Sequence, residues 1–340
     1  MNESRVHGFS RREFLAGTSM LGAATLLGLP RTAAAEPLLE TTKIRLVHAP
    51  AICLAPQYMA EELLRLEGFS HVEYVPYGED ADAHMAVAAG RADMTMDGAT
   101  ALVPALDGGR PIVVLAGVHG GCYEVFGNER VRAIRDLKGK SVAIWGLGGA
   151  DQVYIASMMA YVGMDPRKDV NWVATGTFDG PMQLFLDGKV DAFLGFPPQP
   201  QQVRARKVGH VIVNTAQDRP WSQRFCCMLV GNRDFVQKHP IATKRAMRAV
   251  LKAADVCVRE PERAARYMVK KGYEANYDIA LEVVKEVSYN AWRTFDPEDT
   301  LRFHALRLHE VGMIKSDPNK LIAQGTDWRF LNELKKELKA

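Results

Sequence analysis

The chain has 340 residues, with 43 Lys and Arg against 40 Asp and Glu. That near-neutral balance leaves no electrostatic footprint for nucleic acid or an anionic membrane surface. The length is large for one hydrophobic core, so two lobes are expected.

The N-terminus carries Ser10-Arg11-Arg12-Glu13-Phe14-Leu15, followed by a weakly apolar run to Leu29, then Pro30 and Ala33-Ala34-Ala35. A charged, apolar and small-residue order of this kind is that of a cleavable secretory leader, and the Arg pair resembles a twin-arginine export signal. The run is too short and too rich in Gly, Ala and Thr for a membrane span, which needs about 20 residues. Residues 1–35 are therefore expected to be a signal peptide cut near Ala35, placing the mature chain in the periplasm. The leader holds four Arg and two Glu, which leaves 39 basic and 38 acidic residues. No cysteine stands at the cut for a lipid anchor.

Short β-branched runs then alternate with helical stretches. Strands are expected at Ile44–Val47, Val72–Val75, Asp93–Met96 and Ile112–Val118. Helices are expected at Gln57–Leu66, with Tyr58, Leu63 and Leu66 on its apolar face, and at Ala81–Ala89, closed by Gly90. The pattern restarts after Asp136-Leu137-Lys138-Gly139-Lys140, with strands at Val142–Trp145, Asn171–Ala174, Ala192–Gly195 and Val211–Val213. Helices Gln152–Val162 and Pro181–Asp187 lie between them, and the alternation argues for parallel α/β architecture. Phe225–Val230 reads as a strand returning to the first lobe. The last hundred residues read as helical: Met247, Val250, Leu251, Ala254 and Val258 recur at helical spacing. Asp296-Pro297 starts a later helix with Leu301, Ala305 and Leu308 on one face, and Gly312 ends it.

Ala88-Ala89-Gly90-Arg91-Ala92-Asp93 closes a helix and opens a strand in the first unit, Asp136–Lys140 opens the second, and Leu186-Asp187-Gly188-Lys189-Val190-Asp191-Ala192 repeats the theme within it. Behind a leader, this order resembles the type II periplasmic solute-binding proteins of ABC importers, in the nitrate/sulfonate/taurine group that includes thiamine-pyrimidine-like binders. The resemblance implies two α/β lobes joined by a hinge and a helical C-terminal region. The division expected is 41–130 for the first part of lobe 1, 131–220 for lobe 2, and 221–340 for the return and the C-terminal helices. It also implies a monomer that delivers a small-molecule solute to an inner-membrane ABC permease with its ATPase, with no catalytic residue and no cofactor.

Ligands of open α/β sheets sit outside the carboxyl ends of the strands. The loops leaving those ends supply the candidates. Cys53 lies in the loop after the first strand, although a buried packing thiol is the commoner fate of free cysteine. Asp97 and Thr100 stand at a strand-to-helix turn, as ligand contacts or as plain N-caps. In Gly117–Glu124, His119, Gly121 and Cys122 combine close backbone approach with polar side chains. His119, Cys122 and Glu124 also offer metal donors, but their spacing matches no metal motif, so no metal site is expected. Trp145-Gly146-Leu147-Gly148-Gly149-Ala150-Asp151 is a Gly-rich turn that suits an anion through the Gly148 amide and the Asp151 region, with Trp145 as a stacking surface. Thr177, Phe178, Phe196 and Trp221 complete the set. Cys226 and Cys227 read as packing residues, because strand alternation sends adjacent side chains to opposite faces. The four aromatic residues favour a planar organic solute over a small oxyanion such as nitrate or sulfonate. Two other functions stay open: an enzyme on this fold related to thiamine-pyrimidine synthesis, and an exported metal-binding carrier motivated by the five thiols.

Overall fold

The ten strands of the computed structural model, which describes residues 36–76 and 82–340, form two five-stranded sheets. The expected leader, residues 1–35, lies outside the described residues. Leu39–Ala340 form one compact unit.

The first sheet begins with β1 (Lys43–His48), β2 (His71–Pro76), β3 (Met94–Gly98) and β4 (Ile112–Gly120). The chain then crosses to the second sheet as β5 (Glu124–Gly127) and adds β6 (Ser141–Ile144), β7 (Asn171–Ala174), β8 (Ala192–Gly195) and β9 (His210–Asn214). It returns as β10 (Phe225–Asn232). The spatial orders are β2-β1-β3-β10-β4 and β7-β6-β8-β5-β9. The two orders are the same: second, first and third strands, then the strand that crossed over, then the fourth. Each sheet thus takes one strand adjoining a crossing, which ties the halves together at two points.

Those exchanged strands correct the expectation of purely parallel sheets. β10 runs antiparallel to β3 and β4, and β5 runs antiparallel to β8 and β9. The return of Phe225–Val230 to the first sheet is as expected. β5 escaped the sequence reading because its four residues follow a Gly-rich run and are too few for periodicity to register. Helices Ala99–Asp107 and Gln199–Arg206 are further additions.

The crossing segments are stitched to each other. Tyr123 N–H donates to Thr215 Oγ1 at 2.9 Å, and Thr215 N–H donates to the Tyr123 carbonyl at 2.9 Å. A Cβ on Gly121 would stand 2.0 Å from the Thr215 carbonyl oxygen, so only glycine fits there. The close backbone approach read from Gly121 is made to the other crossing segment.

Phe225 faces Gly120 and Cys227 faces His119, which leaves Cys226 as an extra residue in β10. This β-bulge overturns the alternation argument for Cys226 and Cys227, because an inserted residue breaks the two-residue period. Two helix faces also need correction. In the helix Ala55–Leu66, Leu64 is buried and Leu66 is 83% exposed in the last turn. In Pro240–Arg259, Met247, Val250, Leu251 and Ala254 are buried, but Cys257 takes the inward place expected of Val258. The Asp296 carboxylate accepts Glu298 N–H at 2.9 Å, and Leu301, Ala305 and Leu308 are buried. Gly312 has φ +68° just beyond the end of that helix at Glu310.

Candidate functional site

Parallel strands that fan apart at their carboxyl ends leave room between the loops that follow. β1 and β3 pair only at Leu46 and Met94. Beyond that pair the Gln57 side chain replaces the ladder: its Nε2 donates to the Val47 carbonyl at 2.7 Å, and its Oε1 accepts Met96 N–H at 2.6 Å. Tyr58 Oη donates to the Ala49 carbonyl at 2.5 Å and accepts Ala49 N–H at 3.1 Å, which fixes the loop after β1. At the end of β3 one Asp97 oxygen accepts His84 N–H at 2.7 Å and lies 2.7 Å from His84 Nδ1, while the other accepts Gly98 N–H. Neither Asp97 nor Thr100 caps the helix Ala99–Asp107; its N-cap is Gly98.

On the second sheet, Asp151 shapes the turn after β6. Its carboxylate accepts Trp145 N–H and Gln152 N–H, each at 2.8 Å. A Cβ on Gly149 would meet Trp145 Nε1 at 2.3 Å, so the indole lies directly against a glycine. Gln199 holds the neighbouring loops: its Oε1 accepts Phe196 N–H at 3.3 Å and its Nε2 donates to the Phe178 carbonyl at 3.0 Å.

These loops enclose a small cavity of about 40 Å³ at the strand ends. One wall is aromatic. Phe196 lies 4.6 Å from Trp145, 5.7 Å from Phe178 and 4.5 Å from Tyr123 between ring centroids, the last edge-on. Trp145 and Phe178 stack at 5.6 Å. Asp82 and Asp97 supply an acidic side, and no Lys or Arg is among the lining residues. Two hydrogen bonds join the first-sheet and second-sheet sides: Ile52 N–H to the Pro197 carbonyl at 3.2 Å, and Ala150 N–H to Asp82 Oδ1 at 3.1 Å.

Burial pushes the Asp82 carboxyl well above its ordinary range, and the neighbouring Asp97 and Asp151 push it further. Burial also raises Asp151 to about 7, against the lowering effect of its backbone donors. The folded chain therefore holds a proton on Asp151 that the unfolded chain, titrating near 3.8, has released. Through Asp151 alone, stability should fall as pH rises from about 4 to 7, and the raised Asp82 carboxyl adds a slope of the same sign, by linkage. We expect Tm to be lower at pH 7 than at pH 5, by a difference worth about 2 kcal/mol. Asp151→Asn should remove the Asp151 share of this slope and leave the share of Asp82. A Tm that rises over that interval would contradict it.

Of the residues singled out in the sequence, Cys53, Asp97, Trp145, Phe178 and Phe196 line the cavity. Gly121 and Cys122 line a separate, larger groove of about 650 Å³ beside Glu124, Arg204 and Glu286. That groove adjoins the carboxyl ends of β4, β8 and β9 through Gly121, Pro197 and Asn214, whereas the smaller cavity gathers the aromatic residues with Asp82 and Asp97. His119 is fully buried, and Thr100 is buried with no hydrogen-bond partner for its hydroxyl among the described residues. Thr177 is exposed, and its carbonyl accepts from Thr175 Oγ1. Trp221 packs against Tyr161 and Phe303 at 5.4 Å each, outside the cavity lining.

Three amides of the Gly-rich turn already have acceptors in this arrangement. Gly148 N–H donates to Gln152 Oε1 at 2.6 Å, Gly149 N–H to the Gly146 carbonyl at 3.2 Å, and Ala150 N–H to Asp82. Asp82 and Tyr123 also line this cavity, though neither was singled out in the sequence: Asp82 sat inside the helix expected at Ala81–Ala89, and Tyr123 in the Gly117–Glu124 segment beside His119, Gly121 and Cys122.

The NMT1/THI5-like family model matches residues 58–264. A search of curated protein sequences finds no match. Among solved structures, a protein from Bordetella bronchiseptica RB50 superposes with a TM-score of 0.72 at 18% identity, covering 89% of this chain and 100% of its own. The periplasmic nitrate-binding protein NrtA from Synechocystis PCC 6803 gives 0.73 at 16% identity, covering 89% and 90%. The alkanesulfonate-binding protein SsuA from Xanthomonas axonopodis pv. citri, bound to MOPS, gives 0.67 at 14%, covering 87% and 100%. At these identities the likeness is one of fold: the periplasmic-binding-protein fold.

Proposed function

From membership of the NMT1/THI5-like family, to which this chain belongs, we propose that it is an exported solute-binding protein for a small planar molecule with a cationic or donor-rich group. It hands that molecule to an inner-membrane ABC permease with its ATPase. The observation that carries this reading is a cavity with an aromatic wall and two carboxylates, without Lys or Arg, at the strand carboxyl ends. Aromatic faces attract flat rings and cations, and buried carboxylates favour a positive or donating partner. The same features weigh against nitrate or sulfonate, because the Gly148 and Gly149 amides already have acceptors and Asp82 lies against the first N–H of the helix Ala150–Tyr161.

In this reading the two sheets are the two lobes, and the stitched segments at Tyr123 and Thr215 are the hinge. A cavity of about 40 Å³ is far below the hundreds of Å³ of typical ligand sites, so the solute enters only when the two sides part. Opening breaks the Ile52–Pro197 and Asp82–Ala150 hydrogen bonds, each of modest net strength, and admits the solute. Export of a folded monomer through the twin-arginine route belongs to the same proposal.

Native mass spectrometry of protein exported by its own leader and purified without added ligand tests it. A bound organic cation or aminated heterocycle is the expected extra mass. Recovery of nitrate or a sulfonate would overturn the ligand class. With the solute in hand, Trp145→Ala should weaken binding more than tenfold by calorimetry, and unchanged affinity would remove its stacking role.

A further inference from the structure

Four of the five cysteines converge with one histidine at a buried point that their sequence spacing does not announce. Cys53, Cys122, Cys226 and Cys227 are each at most 9% exposed, and His119 is fully buried. The donor atoms of Cys53, His119 and Cys122 lie within 4.8 Å of one another, as do those of His119, Cys226 and Cys227. Cys122 Sγ stands 3.0 Å from Cys226 Sγ, and Cys226 Sγ stands 4.0 Å from Cys227 Sγ. Sulfurs in a tetrahedral site at about 2.3 Å from a metal stand about 3.8 Å apart. The two distances bracket that edge, and all five cysteines are free thiols.

The histidine is an independent observation. His119 Nδ1 lies 2.7 Å from the Gly120 carbonyl, which only accepts, so the proton is on Nδ1. That leaves a lone pair on Nε2, which is buried and has no hydrogen-bond partner among the described residues. An imidazole whose other nitrogen donates to a backbone carbonyl is oriented as metal-ligating histidines are. The bulge in β10 brings Cys226 and Cys227 to the same spot, and bulges recur where a side chain must be re-aimed.

We propose that this cluster is a binding site for one thiophilic d10 cation, Zn²⁺ or Cu⁺, held by His119 and thiolates drawn from Cys53, Cys122, Cys226 and Cys227. Sulfur and imidazole donors select these ions, and neither donor group contains the carboxylates that Mg²⁺ or Ca²⁺ would need. Binding releases the thiol protons it displaces, so occupancy should be lost at acid pH. The ion would join three segments: the loop after β1, the first crossing and the return strand. Cys53 and Cys227 also line the cavity, so the metal site adjoins the solute site. The proposal stands whether or not the solute assignment is right.

The full chain, purified under reductant, is loaded with Zn²⁺ or Cu⁺ in parallel, desalted and analysed for metal. We expect one equivalent of at least one ion to be retained, and competition between the two identifies which. Co²⁺ loading of the wild-type chain should give a sulfur-to-cobalt charge-transfer band, a readout that needs no variant. His119→Ala and Cys226→Ser should cut retention at least tenfold, while Cys257→Ser, outside the cluster, leaves it at one equivalent. Less than a tenth of an equivalent of either ion after loading, or a Cys122–Cys226 disulfide in the exported protein, would overturn the proposal.

Discussion

Asp82→Asn is expected to weaken solute binding by about a hundredfold, and the sign of the change is as informative as its size. Asn keeps an oxygen that accepts Ala150 N–H, so the contact between the two sides of the cavity survives. Only the charge is lost. Removing one partner of a desolvated charge pair costs roughly 2–5 kcal/mol, and a hundredfold is about 2.7 kcal/mol. The carboxyl is raised well above its ordinary range by burial and by Asp97 and Asp151. A cationic solute should therefore ionise it and release a proton near neutral pH. Calorimetry in two buffers of different ionisation enthalpy measures that release directly. For an anionic solute both signs reverse: Asp82→Asn would tighten binding and no proton would leave. That result would return nitrate-like or sulfonate-like ligands to favour.

How far the sequence foretold this site depends on how local each feature is. Strands and helices were legible from β-branched runs and helical spacing, because both are set by neighbours in the chain. Trp145, Phe178 and Phe196 were legible as site residues because a loop leaving a strand's carboxyl end must reach the same end of the sheet. What failed was non-local. The bulge at Cys226 depends on how β10 meets β4, two strands more than a hundred residues apart. Four thiols spread from Cys53 to Cys227 share no motif, so spacing argued against a cluster that the fold assembles. The Gly-rich turn looked like an anion cradle from glycine content alone. Its amides instead meet Gln152 Oε1 one turn onward and Asp82 from the other sheet, and the second of these partners is invisible to local pattern. Trp221 lies outside the cavity lining because a large aromatic near the return crossing suits core packing as well as stacking, and here it packs on Tyr161 and Phe303.

The largest loss of stability should follow Gln57→Leu, a change of similar volume at a fully buried position. The amide spans the gap where β1 and β3 have parted. It satisfies the Val47 carbonyl and Met96 N–H and lies 3.3 Å from Thr95 Oγ1. Leu offers no donor or acceptor, and the helix Ala55–Leu66 that carries it seals the gap from water. Two backbone groups are then buried without partners, at about 1–3 kcal/mol each, so a loss of about 3 kcal/mol is expected. In a domain of this size that lowers Tm by roughly 5 °C. The loss should extend to the site, because the same splay sets the positions of the loop after β1 and of Asp97. Solute affinity should fall even at temperatures where the variant is fully folded. Gln57→Glu separates the two roles: its carboxylate still accepts Met96 N–H but loses the donor to Val47, so its damage should be intermediate at low pH and grow as the buried acid ionises. Thermal melts by circular dichroism and calorimetric titration on the same samples make the measurement. If Gln57→Leu melts like the wild-type chain, the strand ends are held by something other than this side chain, and the cavity owes its shape to the loops alone.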